Sequence, residues 1–330
     1  SHHRTRIMNS NGSPCAKLMF GHIQSMSDSR KDKKRNSIQN KDRSQCHRHF
    51  TVFSSQHRPY CRNSTTTTDS SSRTNRNIKI MNYNPFALTG KTVFVTGASS
   101  GIGRSTAIEC SRLGAKLIIN GRDEQRLRET LLALDGDGHR MIVGDLSVEL
   151  DRQNLLDSIP NVDGVVYCAG ISGHMLLQFI KENDVKKMFD INYFAPLYLS
   201  KILVKKKKIN KNGSVVFISS TSGILSSYIG GSIYASTKGA INGLVKTMAV
   251  ELASKLIRVN SVMPSMVTTP IMNGGSLTQE QFDEDKLRYP LKRYGRPEEV
   301  AYAVVYLLSD ASAWVTGTNL LMDGGRSIAY

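Results

Sequence analysis

The sequence predicts an α/β domain built on a doubly wound parallel β-sheet with helices on both faces. Three observations predict it. From Lys91 onward, short β-prone runs alternate with helix-length amphipathic stretches, the order that gives a parallel sheet with crossover helices. Several of the short runs are almost continuously apolar, as strands buried on both faces must be. The first run leads straight into a glycine-rich turn and then a helical pattern, a strand–turn–helix unit suited to opening such a sheet.

About seven strands are expected, at 92–96, 116–120, 141–143, 164–167, 214–218, 258–262 and 319–322. Helical stretches fall near 102–113, 123–134, 182–205, 233–254 and 297–308. Asp123 suits the N-cap of the second helix. The run Lys205-Lys206-Lys207-Lys208 suits the C-terminal end of the third, where cations oppose the negative dipole end. With Lys211, the same run reads alternatively as a docking patch for an acidic carrier protein. No repeat and no internal linker interrupts residues 81–330, so they are expected to form one domain.

Composition narrows the function classes. The 330 residues carry 44 Lys and Arg against 27 Asp and Glu, a net charge of +17. Residues 1–80 hold 16 of those basic residues and 4 of the acidic ones, leaving 28 and 23 for the rest. The positive charge belongs mostly to this first segment, so nucleic-acid binding by the folded part is not expected. No apolar run approaches the roughly 18 residues of a membrane span. Five cysteines make no disulfide framework. Residues 1–80 are rich in Ser, Thr, Asn, Arg and Lys without apolar periodicity, and are expected to be a disordered basic extension. They read as a transit segment, as an interaction tail, or as no part of the functional protein, with Met81 the favoured functional start. The expected location is the cytoplasm, or an organelle if the segment is a transit signal. Cys46, His47, His49, His57 and Cys61 fit no zinc spacing, and no metal is expected.

The first strand runs into Thr96-Gly97-Ala98-Ser99-Ser100-Gly101-Ile102-Gly103. Glycines there let the backbone turn tightly and approach a pyrophosphate, while the helix N-terminus offers free N–H groups and a positive dipole end. The spacing is G-x-x-x-G-x-G, not the common G-x-G-x-x-G. This loop resembles the cofactor loop of the short-chain dehydrogenase/reductase family, and the resemblance runs from about Leu88 to Ser327. It implies a single Rossmann-type domain and an NAD(P)-dependent oxidoreductase, with a general similarity to bacterial 3-oxoacyl-[acyl-carrier-protein] reductases.

The second strand ends Ile119-Asn120-Gly121-Arg122. Asn120 stands where an acid would bind the ribose 2′-hydroxyl of NAD, and Arg122 offers a fork for a 2′-phosphate. NADP(H) is therefore expected over NAD(H); the alternative makes Arg122 a solvated surface residue. Arg104 would add positive charge near the phosphates. By the resemblance, Asp145 and Leu146 meet the adenine, and Cys168-Ala169-Gly170 stand where the family commonly has Asn-Ala-Gly. Cys168 is expected to be packed and inert. Val267 and Thr269 are implied contacts of the nicotinamide amide, and Ser265 replaces the usual glycine of that loop.

Tyr234-Ala-Ser-Thr-Lys238 puts a phenol and an ammonium one helical turn apart on one face. A phenol titrates near pH 10, and a neighbouring cation lowers that value. Tyr234 would then exchange a proton with a substrate oxygen. Ser220 matches the family's catalytic serine, with Ser222 the runner-up because the spacing to Tyr234 is one residue longer than the family's. Asn192 matches the family asparagine that supports a water-linked proton relay to Lys238. The implied substrate is a small carbonyl compound or alcohol, thioester-linked in the nearest analogy. A homotetramer or homodimer is implied. Residues 271–290, with Gly274-Gly275 and several acids, are the expected substrate lid. A non-catalytic nucleotide sensor on the same fold is the rival reading.

Overall fold

The structure is a computed structural model and describes residues 83–270 and 278–329. The expectations for residues 1–80 and for Gly274-Gly275 lie outside the described residues.

Seven strands form one parallel sheet: β1 (Thr92–Thr96), β2 (Lys116–Gly121), β3 (Arg140–Val143), β4 (Val162–Tyr167), β5 (Ile209–Ile218), β6 (Arg258–Pro264) and β7 (Asn319–Met322). Their spatial order is β3-β2-β1-β4-β5-β6-β7. The chain starts mid-sheet, walks outward to β3, returns beside β1 and walks to the other edge. The direction reverses between β1 and β4. The crevice beyond the C-terminal ends of those two strands is where this topology receives ligands.

The helices are α1 (Gly101–Arg112), α2 (Glu124–Leu132), α3 (Glu149–Ser158), α4 (Glu182–Phe189), α5 (Ala195–Lys205), α6 (Ser232–Leu252), α7 (Gln279–Leu287) and α8 (Pro297–Leu308). They cover both sheet faces. Phe94, Val165, Phe217 and Val259 join Leu155, Leu199 and Ile241 in one buried layer. The alternate residues Val95, Val166, Val216 and Val262 join Ala107, Leu127 and Val304 in the other. Each central strand buries both faces, which is why its sequence shows no polar alternation.

Three local features differ from expectation. The stretch 182–205 is two α-helices joined by a five-residue π-helical segment, Asp190–Phe194, in which the Ala195 N–H reaches the Asp190 carbonyl. Pro196 lies at the start of α5 and has no N–H to offer the Asn192 carbonyl four residues back. Helix α3 was not expected, because its buried face consists of Arg152, Leu155 and Leu156 alone. Helix α7 buries none of its residues and is organised by a capping box between Thr278 and Gln281.

Candidate active site

The glycine loop closes over β4. Gly97 has φ +67°, and a Cβ added there would lie 2.6 Å from the Ala169 nitrogen. A Cβ on Gly103 would collide with the Gly97 carbonyl. The Thr96 hydroxyl accepts the N–H groups of Cys168 and Ala169 at 3.2 and 3.3 Å, joining the two loops. Ser100 is the N-cap of α1, yet its side chain makes no capping bond. The first-turn N–H groups of Gly101, Ile102 and Gly103 thus have no intrahelical partner. Donors beside a backbone with no room for side chains make a cradle that fits a pyrophosphate.

A cleft of about 480 Å³ continues from this cradle, lined by Ser99, Ser100, Arg122, Arg126, Asp145 and Gly170 among others. Arg122 is mostly exposed and lies 3.4 Å from the Asp145 carboxylate. Burial raises the pKa of Asp145, but hydrogen bonds from Ser147 and the charge of Arg122 outweigh it and hold the carboxyl below its usual range. Asn120 is fully buried and donates to the carbonyls of Ile142 and Gly144, so it braces β3 and its amide is committed there. Asp123 caps α2 by accepting the Arg126 N–H at 3.0 Å. Arg126, missed in the sequence, brings a second guanidinium to the cleft, paired to Asp123 at 2.7 Å. Arg104 instead lies 3.9 Å from Glu129 on α2 and is absent from the cleft lining.

Helix α3 grips the loop after β3. The Asp151 carboxylate accepts the Asp145 N–H at 2.7 Å, and Arg152 donates to the Leu146 carbonyl at 2.7 Å. Arg152 is buried with its guanidinium 5.4 Å over the Tyr198 ring. The Leu146 side chain is buried in the core, so the loop faces the cleft largely by its backbone. Nothing in the sequence pattern marked Asp151 or Arg152, since their partners are main-chain atoms brought near by the β3–α3 turn.

After β4, Cys168 packs against the core and burial pushes its thiol up to about 12, so it stays protonated and inert. A Cβ on Gly170 would lie 3.3 Å from Asn192 Oδ1 and 3.8 Å from Lys238 Nζ. Asn192 sits on the π-helical segment, a common seat for functional residues. Its side chain accepts the Ile171 N–H at 2.8 Å and donates to the Ile171 carbonyl at 2.9 Å. It also donates to the Thr237 hydroxyl at 3.2 Å.

Ser220, Tyr234 and Lys238 converge beside that loop. The Ser220 hydroxyl stands close enough to the Tyr234 phenol to influence its ionisation, and it accepts the Ser222 backbone N–H at 3.1 Å. Lys238 Nζ lies 5.7 Å from the Tyr234 ring centre and donates to the Ile218 carbonyl at 2.8 Å. Burial depresses Lys238 to about 8. Burial also raises Tyr234, with the nearby Ser220 hydroxyl opposing it. The phenol has lost its water, and the ammonium is aimed at a carbonyl rather than at the phenol.

After β6, Thr269 lies over the glycine loop, with its methyl 3.3 Å from where a Cβ on Gly101 would be. The Val267 side chain packs into the core, leaving its backbone to face the crevice. Ser265, the departure from the family glycine, has a partner: its hydroxyl lies 2.8 Å from that of Tyr289, just beyond α7. The Lys205–Lys208 run stands at the opposite end of the sheet. It precedes β5, which bulges at 210–213 and then runs the length of β4 before reaching Ser220. Lys206 pairs with Asp157 and Lys208 donates to the Ile159 carbonyl. A carrier docked there would be held away from the crevice.

A glycine cradle at the switch point of a doubly wound sheet, leading to a buried serine–tyrosine–lysine group, defines a dinucleotide-binding oxidoreductase. Residues 97–327 match the family described as Enoyl-(Acyl carrier protein) reductase, and the chain belongs to the short-chain dehydrogenase/reductase family. It is 35% identical over 238 residues to the 3-oxoacyl-[acyl-carrier-protein] reductase FabG of Rickettsia prowazekii, covering 72% of this chain and 97% of that protein. It is 32% identical to a glucose 1-dehydrogenase of Gluconobacter oxydans, covering 72% and 92%. A tropinone reductase homolog of Arabidopsis thaliana is 33% identical, covering 74% and 92%. Among solved structures, a gluconate 5-dehydrogenase-type protein from Beutenbergia cavernae with bound NADP matches at TM-score 0.68 and 29% identity. That match covers 74% of this chain and all of the other. The protein is thus an NAD(P)-family oxidoreductase similar to 3-oxoacyl-[acyl-carrier-protein] reductases. Among the described residues no helix is long and apolar enough to cross a membrane.

Proposed function

We propose that the protein is an NADP(H)-dependent carbonyl reductase, running in reverse as a secondary-alcohol dehydrogenase. When bound, the dinucleotide supplies or accepts the hydride. Tyr234 gives a proton to the substrate oxygen in reduction and takes it back in oxidation. Ser220 donates a hydrogen bond that orients that oxygen and stabilises charge on it. Lys238 places a buried cation beside Tyr234, and Asn192 holds the loop after β4 in register with it. Gly97, Ser99, Ser100, Gly101, Ile102 and Gly103 hold the pyrophosphate. Arg122, with Arg126 behind it, takes the 2′-phosphate. The backbone of Asp145 and Leu146 borders the adenine, and Cys168, Ala169, Gly170, Val267 and Thr269 border the nicotinamide side.

One arrangement carries this reading: Ser220, Tyr234 and, one helical turn on, Lys238 stand together beside the Gly170 loop that borders the cradle. A cytoplasmic homodimer or homotetramer is part of the proposal, supported by the uncovered edge strand β7, where Leu321 is exposed and Trp314 nearby is fully exposed. The test is kcat/KM for NADPH against NADH with a panel of carbonyl compounds. NADPH is expected to be preferred by about tenfold or more through the charge-assisted Arg122 contact. Equal use of the two cofactors would remove the assignment of Arg122. Binding without turnover of any carbonyl compound would favour a sensor.

A further inference from the structure

The relatives are named for chemically unlike molecules: a carrier-bound 3-oxoacyl group, glucose and tropinone. The mouth of this site carries features that separate those classes. The loops after β4 and β5 are joined beside Tyr234. The Met175 N–H donates to the Gly230 carbonyl at 2.9 Å, and the His174 and Tyr228 rings lie 4.9 Å apart between centres. The Tyr228 ring folds back over Gly231, the N-cap of α6, three residues before Tyr234. Burial and the adjacent Tyr234 raise the Tyr228 phenol to about 12, which keeps it a neutral donor.

Along these joined loops six large apolar side chains stand exposed: Leu176, Leu177, Phe179, Ile224, Leu225 and Ile229, from 46% to 84% accessible. A single exposed leucine is ordinary, but six on two joined loops beside a site mark a surface that receives something apolar. Residues 169–180 and 219–233 contain no Lys, Arg, Asp or Glu. Helix α7, tied to the loop after β6 through Tyr289 and Ser265, adds Glu280, Asp283, Glu284 and Asp285. Its single cation, Lys286, is paired to Asp283 at 2.8 Å. The lysine run that suits an acidic carrier stands at the far end of β5.

We propose that the substrate is a free, apolar ketone, or the matching secondary alcohol, whose hydrocarbon part lies along the Leu176–Phe179 and Ile224–Ile229 loops. An anionic carrier-bound thioester meets no unpaired cation on these three elements, and a polyhydroxylated sugar finds few hydrogen-bond partners there. The proposal rests on the reductase reading. In the reaction the carbonyl carbon gains a hydride, which carries two electrons, from NADPH, which leaves as NADP⁺. The oxygen gains the Tyr234 proton, which solvent restores.

The experiment uses the full chain with NADPH. It compares methyl ketones of four, six and eight carbons with acetoacetyl-coenzyme A and the ketose fructose, each a hydride acceptor. The expected kcat/KM rises about threefold per added methylene, the effect of burying a methylene in part. The longest ketone is expected to exceed the thioester and the sugar by about tenfold or more. Phe179→Ser and Ile229→Ser, both at exposed positions whose replacement leaves the melting temperature in place, are expected to flatten that slope. A flat series, or preference for acetoacetyl-coenzyme A or fructose, overturns the proposal and leaves the reductase reading standing. No turnover of any of the five compounds overturns both.

Discussion

In the β1–β3 half of the crevice, the groups offered to a ligand are backbone N–H groups and solvent-exposed ions. In the β4–β6 half, they are buried side chains. Arg122 and Arg126 are more than half exposed, and the glycine loop presents main chain. Lys238, Asn192 and Ser220 are each less than a tenth exposed. The ionisation of these groups differs in the same sense. Asp145 is held charged by hydrogen bonds and a nearby guanidinium, whereas Tyr234 and Lys238 are both pushed toward neutrality by burial. The contrast teaches a division of labour. The first half sets which nucleotide binds and how tightly, and the second sets how fast a proton moves.

The largest expected effect lies in the buried half. Tyr234→Phe removes the proton donor and is expected to lower kcat by about 10²–10⁴-fold, the usual worth of general acid–base catalysis. Rate measurement at saturating NADPH checks it. A loss below tenfold would break the comparison by showing that the buried phenol is dispensable.

The division of labour was only partly legible in the sequence. The sheet could be read because strands buried on two faces carry unbroken apolar runs, as Val93–Val95 of β1 and Val215–Ile218 of β5 do. The glycine loop could be read because the close approach of Gly97 and Gly103 excludes every larger residue. Helices α3 and α7 could not, since neither has an apolar stripe for periodicity to detect. The Asp151 and Arg152 contacts, the Ser265–Tyr289 pair and the His174–Tyr228 stack were invisible for a different reason. Each joins residues whose meeting depends on how loops from separate strands settle. At Tyr234 and Lys238 the spacing on a helix reveals a neighbouring charge but not how far burial desolvates both groups.

The next effect is in pH. The Lys238 pKa falls from 10.5 to about 8 on folding. Between those values the unfolded chain binds the proton and the folded chain has lost it, so this group makes stability climb as pH rises through that window. Activity goes the other way. Reduction draws on the cation beside Tyr234, so kcat/KM is expected to fall as pH rises through about 8. Lys238→Met is expected to remove that inflection and the stability slope together. A profile unchanged in the variant would reassign the inflection to another group.

Effects in the exposed half are smaller and fall on binding. Arg122→Ala is expected to raise KM for NADPH about tenfold, leave that for NADH within about twofold and leave kcat in place, through loss of one charge-assisted contact. Equal weakening of both cofactors would show that Arg122 does not read the 2′-phosphate. Asp151→Ala frees the Asp145 N–H from its 2.7 Å bond and loosens the loop after β3. It is expected to weaken NADPH binding about threefold to tenfold, the worth of one ordinary net hydrogen bond of about 1 kcal/mol. Asp151→Asn, which keeps an acceptor oxygen, is expected to restore most of it, and fluorescence titration reads both.

The most direct measurement is NADPH affinity in the Tyr234→Phe variant, titrated by nicotinamide fluorescence alongside its turnover number. The division of labour predicts a dissociation constant within about twofold of the unaltered protein while turnover collapses. Affinity and turnover lost together, or turnover retained, would contradict it.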